Sequence, residues 1–167
     1  MGDIEARHTS IYEMRPEGDM LEIMEEVDLG QSPIGKVIKT IGTRDGETEV
    51  RYGFQGPISG EIVGFPYQKG DGNFFEVTEV LAYGTNGLQT VAKLFQLFNV
   101  LERDCRTQGV EALTTTCLTE LANAACVRYG FRPSSAIDVL TMAKFKRDPF
   151  AYATVSLYKP LGKSAPH

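Results

Sequence analysis

Apolar residues fall in clusters whose spacing changes along the chain, and the spacing suggests the elements. "HTSIYEMRP" (residues 8–16) is rich in strand formers and ends at Pro16. In "GDMLEIMEEV" (18–27), Met20, Ile23, Met24 and Val27 recur at helical spacing, and Asp19 followed by Glu22 reads as a capping box. "SPIGKVIKTIG" (32–42) predicts a second short helix, with Ser32 as cap, Pro33 in the first turn and Gly42 as stop. Its stripe would be Ile34, Val37, Ile38 and Ile41. "TEVRYGF" (48–54), "GEIVGFPYQ" (60–68) and "FFEVTEVLAY" (74–83) then read as strands, with "KGDGN" (69–73) as a turn and "GTNG" (84–87) as a break. "LQTVAKLFQLFNVLERDCRTQG" (88–109) is the clearest helix, apolar at Leu88, Val91, Ala92, Phe95, Phe98 and Leu101 and closed by Gly109. "VEALTTT" (110–116) is a buried strand, and "LTELANAACVRYGF" (118–131) is a last helix. "SSAIDVLTMAKFKR" (134–147) and "FAYATVSLYKPL" (150–161) close the chain as two strands.

The expected order is β-α-α-β-β-β-α-β-α-β-β. It mixes an antiparallel meander with a strand–helix–strand crossover, which defines an α+β, or mixed-sheet α/β, class.

With 167 residues, 42% of them hydrophobic and 23% charged, the chain is the size of one domain spanning 1–167 and can bury a core. The net charge of −5 argues against nucleic acid or an anionic membrane as the main partner. No apolar run is long enough to span a bilayer. "MGDIEARHTS" lacks the apolar core of a signal peptide, and Ala6 breaks the myristoylation spacing, so a cytoplasmic location is expected. Cys105, Cys117 and Cys126 form no CxxC pair and read as free thiols in a reducing compartment. The only histidines, His8 and His167, lie near the two ends, so neither a metal site nor a His-based triad is expected.

Residues 118–131 carry almost no charge and stop at Tyr-Gly-Phe. Leu118, Leu121, Ala122 and Ala125 make a narrow apolar face that lets a helix approach a sheet closely. Gly130 can adopt the left-handed conformation that ends a helix, and Phe131 then folds back on the last turn. The stretch also resembles the final helix of the GNAT superfamily of acyl-CoA N-acyltransferases. That family's pattern is Asn, two residues, Ala, three residues, Tyr, three residues, Gly-Phe. Ala122 matches the Ala, while Thr119 stands at the Asn and Cys126 at the Tyr. The resemblance extends to the expected element order and to the closing "VSLYKPL", and so covers nearly the whole chain.

What the resemblance implies is a GNAT-like fold that moves an acetyl or other acyl group from acetyl-CoA, or another acyl-CoA, to a small-molecule or peptide amine, without a metal. In such a fold "FFEVTEVLAY" would splay from its neighbour, and the backbone of Val80, Leu81 and Ala82 would pair with the pantetheine arm. The loop "GTNGLQ" matches the family's pyrophosphate loop at Gly87 alone of three positions, with Gly84 and Gln89 departing from it. The amides of Asn86, Gly87, Leu88, Gln89 and Thr90 would still point at phosphate from a helix N-terminus. A plain glycine-rich turn is the alternative reading. Thr119 caps the last helix by its residue type; in the family, the residue there touches the arm.

Acyl transfer to an amine requires a base for the nucleophile and a proton or hydrogen bond for the leaving thiolate. Glu76 and Glu79 are three apart on one strand and face opposite sides, with Glu79 favoured as base. Cys126 would replace the family's Tyr as acid, with Tyr129 the second choice; otherwise Cys126 is a small buried hydrophobe. Tyr12, Tyr52 and Tyr67 are candidates for an acceptor pocket or for strand packing. Two other readings follow from the departures. One is a GNAT-fold module that binds a ligand or partner without turnover. The other is an acyltransferase fed by acyl-carrier protein, against which the acidic chain argues. A homodimer is left open.

Overall fold

A computed structural model of the chain describes residues 11–14, 20–55, 60–81, 87–151 and 153–162. Among these the elements in chain order are β1 (Ile11–Met14), β2 (Met20–Gln31), β3 (Lys36–Arg44), β4 (Glu47–Phe54), β5 (Glu61–Lys69), β6 (Gly72–Leu81), α1 (Gly87–Thr107), β7 (Ala112–Leu118), α2 (Thr119–Tyr129), β8 (Arg132–Pro133), α3 (Ala136–Arg147) and β9 (Thr154–Pro160). The chain divides into two compact units: Met1–Pro66 with Glu79–Asp104, and Tyr67–Thr78 with Cys105–His167.

In the first unit β1 to β5 form an antiparallel meander in which each strand pairs with the next in sequence. The helices expected at 18–27 and 32–42 are therefore strands. Apolar residues three and four apart satisfy a helical stripe, but Val37, Lys39 and Ile41 equally alternate along one strand face. The stretch Val37, Ile38, Thr40, Ile41 and Thr43 is β-branched, which favours the pleated surface. Ser32 does not cap a helix. Its hydroxyl donates to the Gly35 carbonyl at 2.6 Å and accepts from the Gly35 N–H at 3.1 Å, closing the turn between β2 and β3. Beside it, Asp28 accepts from the Gly30 N–H at 2.8 Å and pairs with Lys36 at 2.6 Å. Val37, Val50, Tyr52 and Ile62 are buried, as are Leu97, Phe98 and Leu101 of α1.

In the second unit the strand order is β6-β7-β9-β8. β6 and β7 are parallel, joined through α1, whereas β9 runs antiparallel to both β7 and β8. Phe75, Val77, Leu113, Ala122, Phe131, Val155 and Leu157 are buried. α2 ends as its sequence predicts: Gly130 takes φ +76° and donates to the Ala125 carbonyl, and buried Phe131 donates to the same carbonyl at 3.3 Å. The strand expected at 134–147 is instead α3. Ser135 caps it by accepting from the Asp138 N–H at 3.3 Å, a local signal that outweighs the β-branched Ile137 and Val139.

The GNAT-like arrangement is thus overturned. The observed order is β-β-β-β-β-β-α-β-α-β-α-β, so strands stand where two helices were expected after the first strand, and a helix stands between the last two strands. Among the described residues no helix is long and apolar enough to cross a membrane.

Candidate functional site

The register of β6 against β7 decides which strand residues meet. Phe74 pairs with Ala112, Phe75 with Leu113, Glu76 with Thr114 and Val77 with Thr115, and there the ladder ends. β6 runs four residues further, to Leu81, while β7 stays paired with β9 as far as Leu118 and Thr154.

One pair before the ladder ends, the Thr114 hydroxyl donates to Glu76 Oε2. The same hydroxyl lies 2.9 Å from the phenolic oxygen of Tyr67. A threonine hydroxyl has one proton, so with that proton on the carboxylate the bond between the two hydroxyls must run from Tyr67 to Thr114. The result is a directed chain, Tyr67 to Thr114 to Glu76, half-buried throughout. Tyr67 is further held by stacking on Phe74 at a centroid distance of 5.5 Å. A carboxylate fixed through one oxygen can receive a proton, or bind a cationic amine, through the other.

The residues expected from the sequence distribute as follows. Glu79 is exposed on β6, whereas Glu76, the less favoured of the two, belongs to the hydroxyl chain. Val80 is 41% exposed and Leu81 half-buried, both beyond the last β6–β7 pair. Ala82 and Asn86 lie outside the described residues. Gly87, Leu88, Gln89 and Thr90 form the first turn of α1 by their backbone, and their side chains lie outside the described residues.

Thr119 is not the cap of α2. Leu118 holds that position, and Thr119 is the first helical residue, its N–H donating to the Ala153 carbonyl at 3.0 Å. Thr119 is 1% exposed, and among the described residues its hydroxyl has no hydrogen-bond partner.

Cys126, seven residues after Thr119 and four after Ala122, shares their side of α2 and is half-buried. Burial pushes its thiol above the ordinary value, and Lys146 partly offsets the rise. Cys117, near the end of β7, is pushed up by burial and then by neighbouring Cys126. Burial also raises Tyr129, against a smaller opposing effect of Arg128. Both candidate acids therefore stay protonated at neutral pH and hold their protons more tightly than an unperturbed thiol does.

Tyr52 belongs to a separate buried cluster in the first unit, where its hydroxyl and Lys39 Nζ both donate to Asp104 Oδ2. The side chain of Tyr12 lies outside the described residues. Among the described residues no group of three or more His, Cys, Asp or Glu side chains is placed to hold a metal ion.

No protein-family model matches the chain, and no curated protein matches it.

Proposed function

We propose that the chain transfers an acyl group from a coenzyme A thioester to an amine. The observation that carries the reading is the half-buried carboxylate of Glu76, held by the Thr114 hydroxyl, which Tyr67 holds in turn. In the same unit, the buried hydroxyl of Thr119, without a hydrogen-bond partner among the described residues, is suited to an amide-bearing chain such as the pantetheine arm.

Glu76 supplies the proton acceptor in this reading and takes the place that Glu79 held. Its carboxylate removes a proton from the substrate ammonium. The neutral amine then attacks the thioester carbonyl, a C–N bond forms, the C–S bond breaks, and the proton shed by the nitrogen goes to the leaving thiolate to give the free thiol. Thr114 and Tyr67 position the carboxylate without touching the reacting atoms. The buried hydroxyl of Thr119 would hydrogen-bond the arm.

The raised Cys126 and Tyr129 favour a second reading, a module that binds the thioester without turning it over. Neither group is a better acid than the thiol it would have to protonate.

The test is a thermal melt with acetyl-CoA and longer acyl-CoAs, followed by thiol release in the presence of a panel of primary amines. A ligand that binds only the native state must raise the melting temperature. A rise with turnover supports the transferase, and a rise without turnover supports the binding module. No rise at millimolar ligand and no thiol release ends both.

A further inference from the structure

Pairing in the second unit lines up one residue from each of its four strands. Glu76 on β6 pairs with Thr114 on β7, Thr114 with Tyr158 on β9, and Tyr158 with Arg132 on β8. Residues directly opposite one another present their side chains on the same face of a sheet, so Glu76, Thr114, Tyr158 and Arg132 form one row across it. The bond from Thr114 to Glu76 is made on that face. Two residues along lies a second polar row, where the Thr116 and Ser156 hydroxyls stand 3.5 Å apart. The opposite face of the same strands is apolar and buried at Phe75, Val77, Leu113, Val155 and Leu157.

Among the paired residues of the polar face, Glu76 and Arg132 carry the only charges, one at each end of the row. Arg132 is exposed, and among the described residues its guanidinium has neither a hydrogen bond nor an ion pair. Tyr158 is half-buried, and its hydroxyl likewise has no partner among the described residues. Glu76 keeps one carboxylate oxygen clear of Thr114. Three strand spacings of about 4.8 Å set the end residues about 14 Å apart at the backbone. Both end side chains are long and can lean inward over the two hydroxyls between them. A fixed negative group at one end and an unengaged positive one at the other suit a molecule that carries both signs.

Resting on the acyl-transfer reading, we infer that the amine acceptor is a zwitterion: an amine with an anionic group, carboxylate or phosphate, several bonds from its nitrogen, as in an ω-amino acid or a dipeptide. The ammonium meets the free oxygen of Glu76. The anion meets the Arg132 guanidinium, whose planar fork of N–H donors matches either kind of oxygen anion. Tyr158, next to Arg132 in the row, donates a further hydrogen bond to the same anion. A plain alkylamine engages the Glu76 end alone. An α-amino acid is too short for the row, because both of its charged groups sit on one carbon.

The test is calorimetric titration of the full chain with 6-aminohexanoate, hexylamine and hexanoate, followed by thiol release from acetyl-CoA and longer acyl-CoAs with the two amines. 6-Aminohexanoate is expected to bind at least about tenfold tighter than either single-charged analogue. R132Q should erase its advantage over hexylamine, and R132K, which keeps the charge without the fork, should erase less of it. E76Q should erase its advantage over hexanoate. Circular dichroism melts verify that the variants fold. 4-Aminobutyrate and 3-aminopropylphosphonate, matched in length, separate the two anions: the tighter of them identifies the group that Arg132 takes. Equal binding of 6-aminohexanoate and hexylamine overturns the proposal, as does a preference that R132Q leaves intact. Equal kcat/KM for the two amines removes the zwitterion and leaves the transferase. A preference in binding without thiol release from any acyl-CoA removes the transferase and leaves the site.

Discussion

The phenol of Tyr52 donates to Asp104 Oδ2 at 2.7 Å, on the oxygen that Lys39 Nζ reaches at 2.8 Å. Lys39 and Tyr52 are cross-strand partners on β3 and β4, and Lys39 sits 5.7 Å from the Tyr52 ring centroid, so one carboxylate from α1 closes a three-membered polar cluster. The Lys39 side chain is only 7% exposed and that of Asp104 14%. Asp104→Ala leaves a buried ammonium without its counter-charge and is expected to cost about 3–5 kcal/mol. Replacing the pair together, Lys39→Met with Asp104→Leu, removes the charge as well as its partner and should cost much less. Urea unfolding of the two single variants and the double variant measures the difference. Near-additive losses would show that the two charges do not stabilise one another.

Glu76 and Glu79 separate in a single comparison. If the carboxylate held by Thr114 is the proton acceptor, Glu76→Gln should lower kcat/KM by about 10²–10⁴-fold and flatten the rise of rate with pH. Glu79→Gln, at an exposed position, should leave the rate within about twofold. Tyr67→Phe removes the donor at the head of the chain and should reduce kcat while leaving KM nearly unchanged, the mark of a positioning residue. A Glu79→Gln variant slower than Glu76→Gln would reverse the assignment.

Thr119 presents a different kind of question. A buried hydroxyl without a partner costs stability, and valine has nearly the same shape without it. Thr119→Val is therefore expected to raise stability, by up to about 1 kcal/mol, in thermal or urea unfolding. The same substitution should weaken acyl-CoA binding if the hydroxyl is kept for the ligand. A loss of stability would show that the hydroxyl is already satisfied in the folded chain.

Where one period dominated, the elements were legible. The stripe ending at Phe98 and Leu101 marks α1, and its stop is visible in Gly109, which takes φ +77°. The Gly-Phe stop of α2 was equally clear. β2 and β3 were not, because Ile23, Val37 and Ile41 fit a stripe of period 3.6 and an alternation of period 2 alike. What decides between them is cross-strand pairing, such as Ile41 with Val50, that no local window contains. α3 was hidden the other way: β-branched residues suggested a strand, and the cap at Ser135 was the missed signal. The site was legible only as a pair of carboxylates. Choosing Glu76 needs the register with Thr114, 38 residues away, and the contribution of Tyr67, 47 residues from Thr114.

Asp138 gives α3 a dependence on pH. The N–H of Ser156 on β9 donates to its Oδ1 at 3.0 Å and the Ser135 hydroxyl to its Oδ2 at 2.7 Å. Led by the Ser156 contact, these bonds favour the carboxylate and hold its pKa below the ordinary value. A depressed pKa means stability that is complete above the unfolded value of about 3.9 and is lost as the pH falls through the lower folded value. The side chain is only partly buried, so the gain is small. At neutral pH, Asp138→Ala should cost about 0.5–1 kcal/mol, mostly as faster hydrogen exchange in α3. Below the folded pKa, the variant and the parent should exchange alike. A difference that persists undiminished into strong acid would assign the effect to packing or to the backbone rather than to the charge.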